Sequence, residues 1–125
     1  MKRILLAEDN PMNRELIRDV LEALGCEVIE AENGEAALRK LRELPPDLVL
    51  LDVQMPGLDG YAVLGQVRAD ARLSHLPVIA LTAFAMRGDR ERMLAAGFDA
   101  YLSKPIDFDQ LRAEIERLCN HRSAH

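Results

Sequence analysis

The stretch VIALTAFAMRGDRERMLAAGFDAYLSKP, residues 78–105, contains a strand, a helix and a second strand in one run. Its first four residues are apolar without alternation, which is typical of a strand buried on both faces. Met93 and Ala96 follow at helical spacing, and the apolar run 100–102 forms the second strand. Because a helix between two strands of one sheet makes them parallel, this stretch predicts a parallel sheet covered by helices.

The same alternation recurs along the whole chain. Five repeats predict an α/β fold in which a doubly wound five-stranded parallel sheet carries helices on both faces. Neither a linker nor a low-complexity tract interrupts the pattern, so residues 1–125 are expected to form one domain. The strands are expected at residues 4–7, 27–31, 48–51, 78–81 and 100–102.

Apolar spacing also predicts which side of each helix is buried. In the first helix four apolar residues recur every fourth position and are expected to form one stripe. Asp107 precedes the fifth helix and is well placed to cap it. The residues assigned to buried faces are Met12, Leu16, Val20 and Leu24, then Ala37, Leu41 and Leu44, Leu64 and Val67, Met93 and Ala96, and Phe108, Leu111, Ile115 and Leu118.

Composition excludes several classes of protein. The formal charge of −5 leaves no basic stripe for neutralising nucleic-acid phosphates. No apolar segment is long enough to span a membrane, and the start MKRILLAEDN does not fit a signal peptide. Cys26 and Cys119 lack metal-binding spacing and are expected to be reduced thiols. We therefore expect a cytoplasmic protein that binds neither nucleic acid nor membrane.

Reactive side chains follow four of the predicted strands. Glu8 and Asp9 follow the first strand, Asp52 the third, Thr82 the fourth and Lys104 the fifth. Strand ends in a parallel sheet meet at one edge, where ligands bind, so these groups are expected to converge. Taken singly, Glu8 and Asp9 could merely interact favourably with the dipole at the N-terminus of the first helix, and Asp52 could merely cap the turn that follows it. Only the combination of these residues indicates a functional site.

Such a cluster suits a magnesium ion and a phosphoryl group. Close carboxylates repel unless a proton or a cation joins them, and oxygen ligands without His or Cys select a hard ion such as Mg²⁺. Lys104 and Thr82 are suited to contact phosphoryl oxygens while a carboxylate attacks in line. Asp52 stands alone at a central strand end, so we predict that it is the nucleophile. Lys104 is expected to pair with Asp52 when no phosphoryl group is present.

The chain resembles the receiver domain of two-component response regulators over its whole length. The signature comprises the adjacent acids near the start, the aspartate in LLDVQMPGLDG, the threonine in ALTAF and the Lys-Pro in LSKP. Residues 78–106 further resemble single-domain cell-cycle regulators of the DivK type and receivers attached to hybrid histidine kinases. The resemblance implies a flavodoxin-like fold, with Asp52 as phosphoacceptor and Thr82 and Lys104 as phosphoryl contacts.

The resemblance also implies further roles. Mg²⁺ would be held by Glu8, Asp9, Asp52 and the backbone carbonyl of Gln54. Tyr101 would be a switch aromatic, and Pro105 would follow a cis peptide bond. Phe84 and Met86 are left open between packing under the fourth helix and binding a partner. The partner face is expected to comprise Met12, Asn13, Leu16, Phe84, Met86 and Ile106.

These expectations describe a switch rather than a turnover enzyme. A histidine kinase or histidine phosphotransfer protein would phosphorylate Asp52, and the switched domain, a monomer or weak dimer, would bind a downstream protein. The chain ends about one helix after Pro105, so no output domain is expected.

A phosphorylation-independent docking module and a fragment of a hybrid histidine kinase are the alternatives. A haloacid-dehalogenase phosphatase is disfavoured because Asp52-Val53-Gln54 replaces its D-x-D, and no P-loop motif exists for an NTPase.

Overall fold

Strands and helices alternate five times along the chain in a computed structural model. The structure describes residues 2–83 and 88–123. All five predicted strands are present, each within about one residue of its expected bounds. In chain order the elements are β1 (Arg3–Ala7), α1 (Pro11–Ala23), β2 (Glu27–Ala31), α2 (Gly34–Glu43), β3 (Leu48–Asp52), α3 (Gly60–Ala69), β4 (Val78–Thr82), α4 (Asp89–Ala96), β5 (Ala100–Ser103) and α5 (Phe108–Ser123).

The sheet has the strand order β2-β1-β3-β4-β5, and every pairing is parallel. All residues of β3 and β4 are buried, as their uninterrupted apolar sequences predict. Alternate side chains of one strand enter different cores: Leu48 and Leu50 join one cluster, whereas Val49 and Leu51 join the other. Two cores on opposite faces confirm the prediction of a doubly wound sheet.

The buried face of α1 differs from the prediction. Ile17 and Leu21 are buried, whereas Met12 is 80% exposed and Leu16 is 53% exposed. Residues four apart are offset by about 40° around a helix, so a run of four such residues winds away from the core. The expected stripe was therefore wrong for α1. Leu24, Leu44, Ala96 and Phe108 are likewise exposed rather than buried.

Polar side chains fix where several helices begin. Asn10, Asn33 and Asp59 each accept a hydrogen bond from the backbone N–H three residues later, at the starts of α1, α2 and α3. Asp107 accepts from two backbone N–H groups at the start of α5, which confirms its predicted capping role. Across residues 2–83 and 88–123, none of the helices combines the length and apolar character needed to cross a membrane.

Arg68, in the last turn of α3, ties three segments together. Its guanidinium donates to the carbonyls of Ser74, Leu76 and Gly97, with the shortest contact 2.6 Å from Nη1 to the Leu76 oxygen. Nη2 also lies 3.0 Å from Asp99 Oδ2. Five contacts use all five N–H groups of the guanidinium. Arg68 therefore joins α3 to the loop before β4 and to the turn between α4 and β5.

Candidate functional site

The polar groups predicted from the strand ends lie at one edge of the sheet. Glu8 follows β1, whereas Asp52 and Thr82 are the last residues of β3 and β4. Asp52 lies opposite Leu81 in the sheet register. The backbone N–H of Lys104 donates to the Thr82 carbonyl at 2.7 Å, which extends the β4–β5 pairing to the lysine. Parallel pairing thus sets the positions of these groups along the edge.

Lys104 is bonded to two acids from different strands. Its Nζ lies 2.9 Å from Asp52 Oδ2 and 3.0 Å from each carboxylate oxygen of Glu8. Glu8 is fully buried, and only 2% of Asp52 is exposed. Charged hydrogen bonds of this length offset part of the cost of burying carboxylates. An arrangement that separated residue 104 from residue 52 would have contradicted the predicted pairing, and the structure brings them into contact.

The site has more buried acid than ammonium, and this shifts its protonation. Burial raises the pKa of the Glu8 carboxyl from its usual 4.5 to about 7; Asp52 adds to the rise, and Lys104 opposes it. Burial alone would lower the pKa of the Lys104 ammonium, but Asp52 and Glu8 outweigh burial and raise it. Lys104 therefore stays charged, and Glu8 is poised to exchange a proton near neutral pH.

The three acids are arranged so that they fit a divalent ion. Glu8, Asp9 and Asp52 each offer a carboxylate oxygen, and these oxygens lie within 4.8 Å of one another. Asp9 is exposed, so the cluster opens to solvent on that side. Carboxylate oxygens with access to water are the environment that Mg²⁺ prefers. The residues present therefore fit the predicted magnesium ion.

The loop after β3 holds Asp52 in place. Asp52 Oδ1 accepts the backbone N–H of Gln54 at 2.9 Å, which orients the carboxylate. The start of α3 packs against the same strand end, with the Gly60 N–H donating to the Val53 carbonyl at 3.2 Å. A Cβ at Gly60 would lie 2.6 Å from the Asp52 carbonyl oxygen. Only glycine fits here, so α3 and the acidic edge are positioned together.

The remaining predicted residues lie around this edge. Tyr101 is partly buried and packs against the core that contains Val49 and Ala80. The Lys104–Pro105 peptide bond is cis. Phe84 and Met86 lie outside the described residues. A groove of about 200 Å³ is lined by Asn13, Leu16, Ile17, Lys104, Pro105, Ile106 and Phe108.

Sequence reasoning missed two contacts that hold Glu8. Asn13 Nδ2 donates to Glu8 Oε1 at 3.3 Å, and Arg14 Nη1 donates to the Glu8 carbonyl at 2.9 Å. The only signal in the sequence is that both residues follow the acids by four to six positions, near the start of the predicted first helix. Asn13 was predicted as part of the partner face alone. It lies both in the groove and beside the acidic cluster.

Comparison with known proteins identifies the family. The family model described as the response regulator receiver domain matches residues 4–116. The polar-differentiation response regulator DivK of Brucella anthropi is 49% identical over 105 residues, covering 84% of this chain and 85% of that protein. The structure of the Francisella response regulator 1452 receiver domain superposes with a TM-score of 0.91 at 28% identity, covering 98% of this chain and 99% of that one.

A second solved structure bears on the metal site. The receiver domain of the sensor histidine kinase PA1611 from Pseudomonas aeruginosa PAO1 has a TM-score of 0.88 at 39% identity, covering 95% of this chain and 98% of that chain. That structure has a magnesium ion coordinated in its active site cleft. The family match, the relatives and the acidic edge agree: this chain belongs to the response regulator receiver domain family and is DivK-like.

Proposed function

We propose that this chain is a switch that accepts a phosphoryl group on Asp52 from a phosphohistidine of a histidine kinase or a histidine phosphotransfer protein. The observation that carries the proposal is the contact between Lys104 Nζ and Asp52 Oδ2 at 2.9 Å. An ammonium held beside a buried carboxylate is positioned to neutralise a phosphoryl group added to that carboxylate. Transfer between histidine and aspartate is general for receiver domains, which supports the assignment.

Asp52 is the nucleophile in this proposal. Attack forms a bond between an Asp52 oxygen and phosphorus and breaks the phosphorus–nitrogen bond of the phosphohistidine, whose electron pair stays on the imidazole. The Gln54 N–H on Oδ1 orients the carboxylate before attack.

The proposed magnesium ligands are the side chains of Glu8, Asp9 and Asp52 and the backbone carbonyl of Gln54. Bound Mg²⁺ would neutralise charge on the transferring phosphoryl group and hold it in line. Lys104 holds the two buried acids together before transfer and then turns to a phosphoryl oxygen. The cluster of three carboxylate oxygens within 4.8 Å supports this assignment.

The output is a change in protein contacts rather than turnover of a substrate. The added dianion attracts the hydroxyl of Thr82, which ends the neighbouring strand β4. Tyr101, which is only partly buried, then moves inward, and the surface formed by α4, β5 and α5 changes shape. This surface is proposed to bind the downstream protein.

The groove beside Lys104 is the proposed docking site of the phosphohistidine partner. Its wall includes Leu16 and Ile106, and Met12 on the same helix is 80% exposed. Lys104 contributes to the groove and also contacts Asp52, so a partner seated there lies beside the nucleophile. Exposed apolar side chains grouped at a groove typically mark a site of contact with another protein.

The experiment is phosphoryl transfer with matched aspartate variants. Wild-type protein with Mg²⁺ and radiolabelled acetyl phosphate is expected to take up label that is stable in acid and labile in base. Asp52→Asn should abolish labelling, whereas Asp59→Asn should not, because the asparagine side chain introduced there can still cap α3. Undiminished labelling of Asp52→Asn would refute the proposed nucleophile. Chemical-shift changes with beryllofluoride and Mg²⁺ provide a test that does not require transfer.

A further inference from the structure

Glu8 is held by more contacts than its proposed role as a metal ligand requires. Its backbone N–H donates to the Ala31 carbonyl at 3.1 Å, and its carbonyl accepts from Arg14 at 2.9 Å. These two bonds fix the backbone at the start of the β1–α1 loop. The direction of the carboxylate is set separately by its own donors, Lys104 and Asn13.

The two donors differ in what else they bind. Lys104 is shared between Glu8 and Asp52, with contacts of 2.9–3.0 Å to both. The Asn13 amide contacts Glu8 Oε1 at 3.3 Å, and the described residues give that amide no second acid. If Lys104 turns to a phosphoryl oxygen, as in the proposed function, Glu8 keeps only one of its two side-chain donors within the described part of the chain.

We propose that Asn13 is a positioning residue for the metal site: its amide aims the Glu8 carboxylate at the proposed Mg²⁺ ion. This inference rests on the proposed function. Asn13 acts through Glu8 and touches neither the phosphoryl group nor the nucleophile. Groups that orient metal ligands typically change metal affinity by about 10- to 100-fold when they are removed. Because this bond is long at 3.3 Å and its donor is an uncharged amide, we expect the low end of that range.

The backbone around Asn13 allows its side chain to be changed separately. The cap of α1 uses the backbone N–H of Asn13 and the side chain of Asn10, at 3.1 Å. Replacing the side chain of residue 13 leaves that capping bond in place. Asn13→Leu keeps the branched shape of the side chain and removes the donor, whereas Asn13→Gln keeps an amide. Leu16→Ala changes the same groove without touching Glu8.

The test is calorimetric titration of each variant with Mg²⁺ alone. Asn13→Leu is expected to raise the Mg²⁺ dissociation constant about 10-fold, whereas Asn13→Gln and Leu16→Ala should stay within about twofold of wild type. Circular dichroism checks folding, and Asn13→Ala replaces Asn13→Leu if the latter does not fold. Because Asn13 acts through Glu8, Asn13→Leu should have no further effect on Mg²⁺ affinity in a Glu8→Gln background.

Several results would overturn the inference. An unchanged Mg²⁺ dissociation constant in Asn13→Leu would do so, as would equal losses of Mg²⁺ affinity in Asn13→Leu and Leu16→Ala. A loss of Mg²⁺ affinity in Asn13→Gln as large as that in Asn13→Leu would also do so. If wild-type protein binds Mg²⁺ and is labelled on Asp52 while Asn13→Leu matches it, only the positioning role fails. If wild-type protein binds no Mg²⁺, the metal site of the proposed function fails as well.

Discussion

Replacing Arg68 with alanine should destabilise the protein by about 2–3 kcal/mol. The loss removes partners from the part-buried carbonyls of Leu76 and Gly97, at about 1 kcal/mol each. The ion pair with Asp99 adds no more than about 0.5–1 kcal/mol, because its side chains are 25% and 38% exposed. The exposed contact to Ser74 is expected to contribute little.

Urea unfolding followed by circular dichroism measures this difference. A loss of this size lowers the midpoint by about 1–2 M urea. Arg68→Lys should recover little, since one ammonium cannot bond at once to the loop before β4 and to the turn between α4 and β5 as the planar guanidinium does. Arg72→Ala is the control, because Arg72 is 69% exposed and lies 3.7 Å from Asp70. If Arg68→Ala unfolds at the same midpoint as Arg72→Ala, the network contributes nothing and the reasoning is wrong.

Two further predictions concern Glu8 and the glycines of α3. The folded-state pKa of Glu8, about 7, lies above its usual 4.5, so its contribution to stability is complete at low pH and is lost as pH rises through 7. Without divalent ions, wild type should lose unfolding free energy relative to Glu8→Gln between about pH 5 and 8. The measurement is urea unfolding of both proteins at several pH values, and an unfolding free energy that changes with pH equally in both would contradict the prediction. A Cβ at Gly60 would lie 2.6 Å from the Asp52 carbonyl oxygen, whereas one at Gly65 would meet nothing within 4 Å. Gly60→Ala should lower stability by about 1–3 kcal/mol, and Gly65→Ala should raise it by about 0.5–1 kcal/mol. If both variants shift the melting temperature in the same direction, the close contact between residue 60 and the Asp52 carbonyl does not limit the side chain at that position.

The strands were predictable because a strand buried on both faces has a continuous run of apolar residues in the sequence. The uninterrupted apolar runs in β3 and β4 correspond to strands in which every residue is buried. The helix faces were less predictable. Leu16 has the right hydrophobicity and spacing for a core residue, yet Ile17 takes that place, because small angular errors accumulate along a helix.

The sheet topology alone predicts which residues lie at the candidate site, but it does not predict the contacts that their side chains make. Parallel strands bring Asp52 and Lys104 to one edge whatever their side-chain conformations, so their proximity follows from the fold class. The Asn13–Glu8 bond depends on a rotamer choice across the β1–α1 loop, and periodicity carries no information about it. The same limit applies to Arg68, whose acceptor Gly97 lies 29 residues away.

The contact of Lys104 with two buried carboxylates means that the acidic edge carries a counter-ion of its own. Small zinc domains unfold in a chelator because metal binding supplies their folding free energy. Here two apolar cores stabilise the fold and Lys104 pairs with both buried acids, so treatment with EDTA should leave the protein folded. A divalent ion at the proposed site would compete for these carboxylates with a lysine that cannot diffuse away.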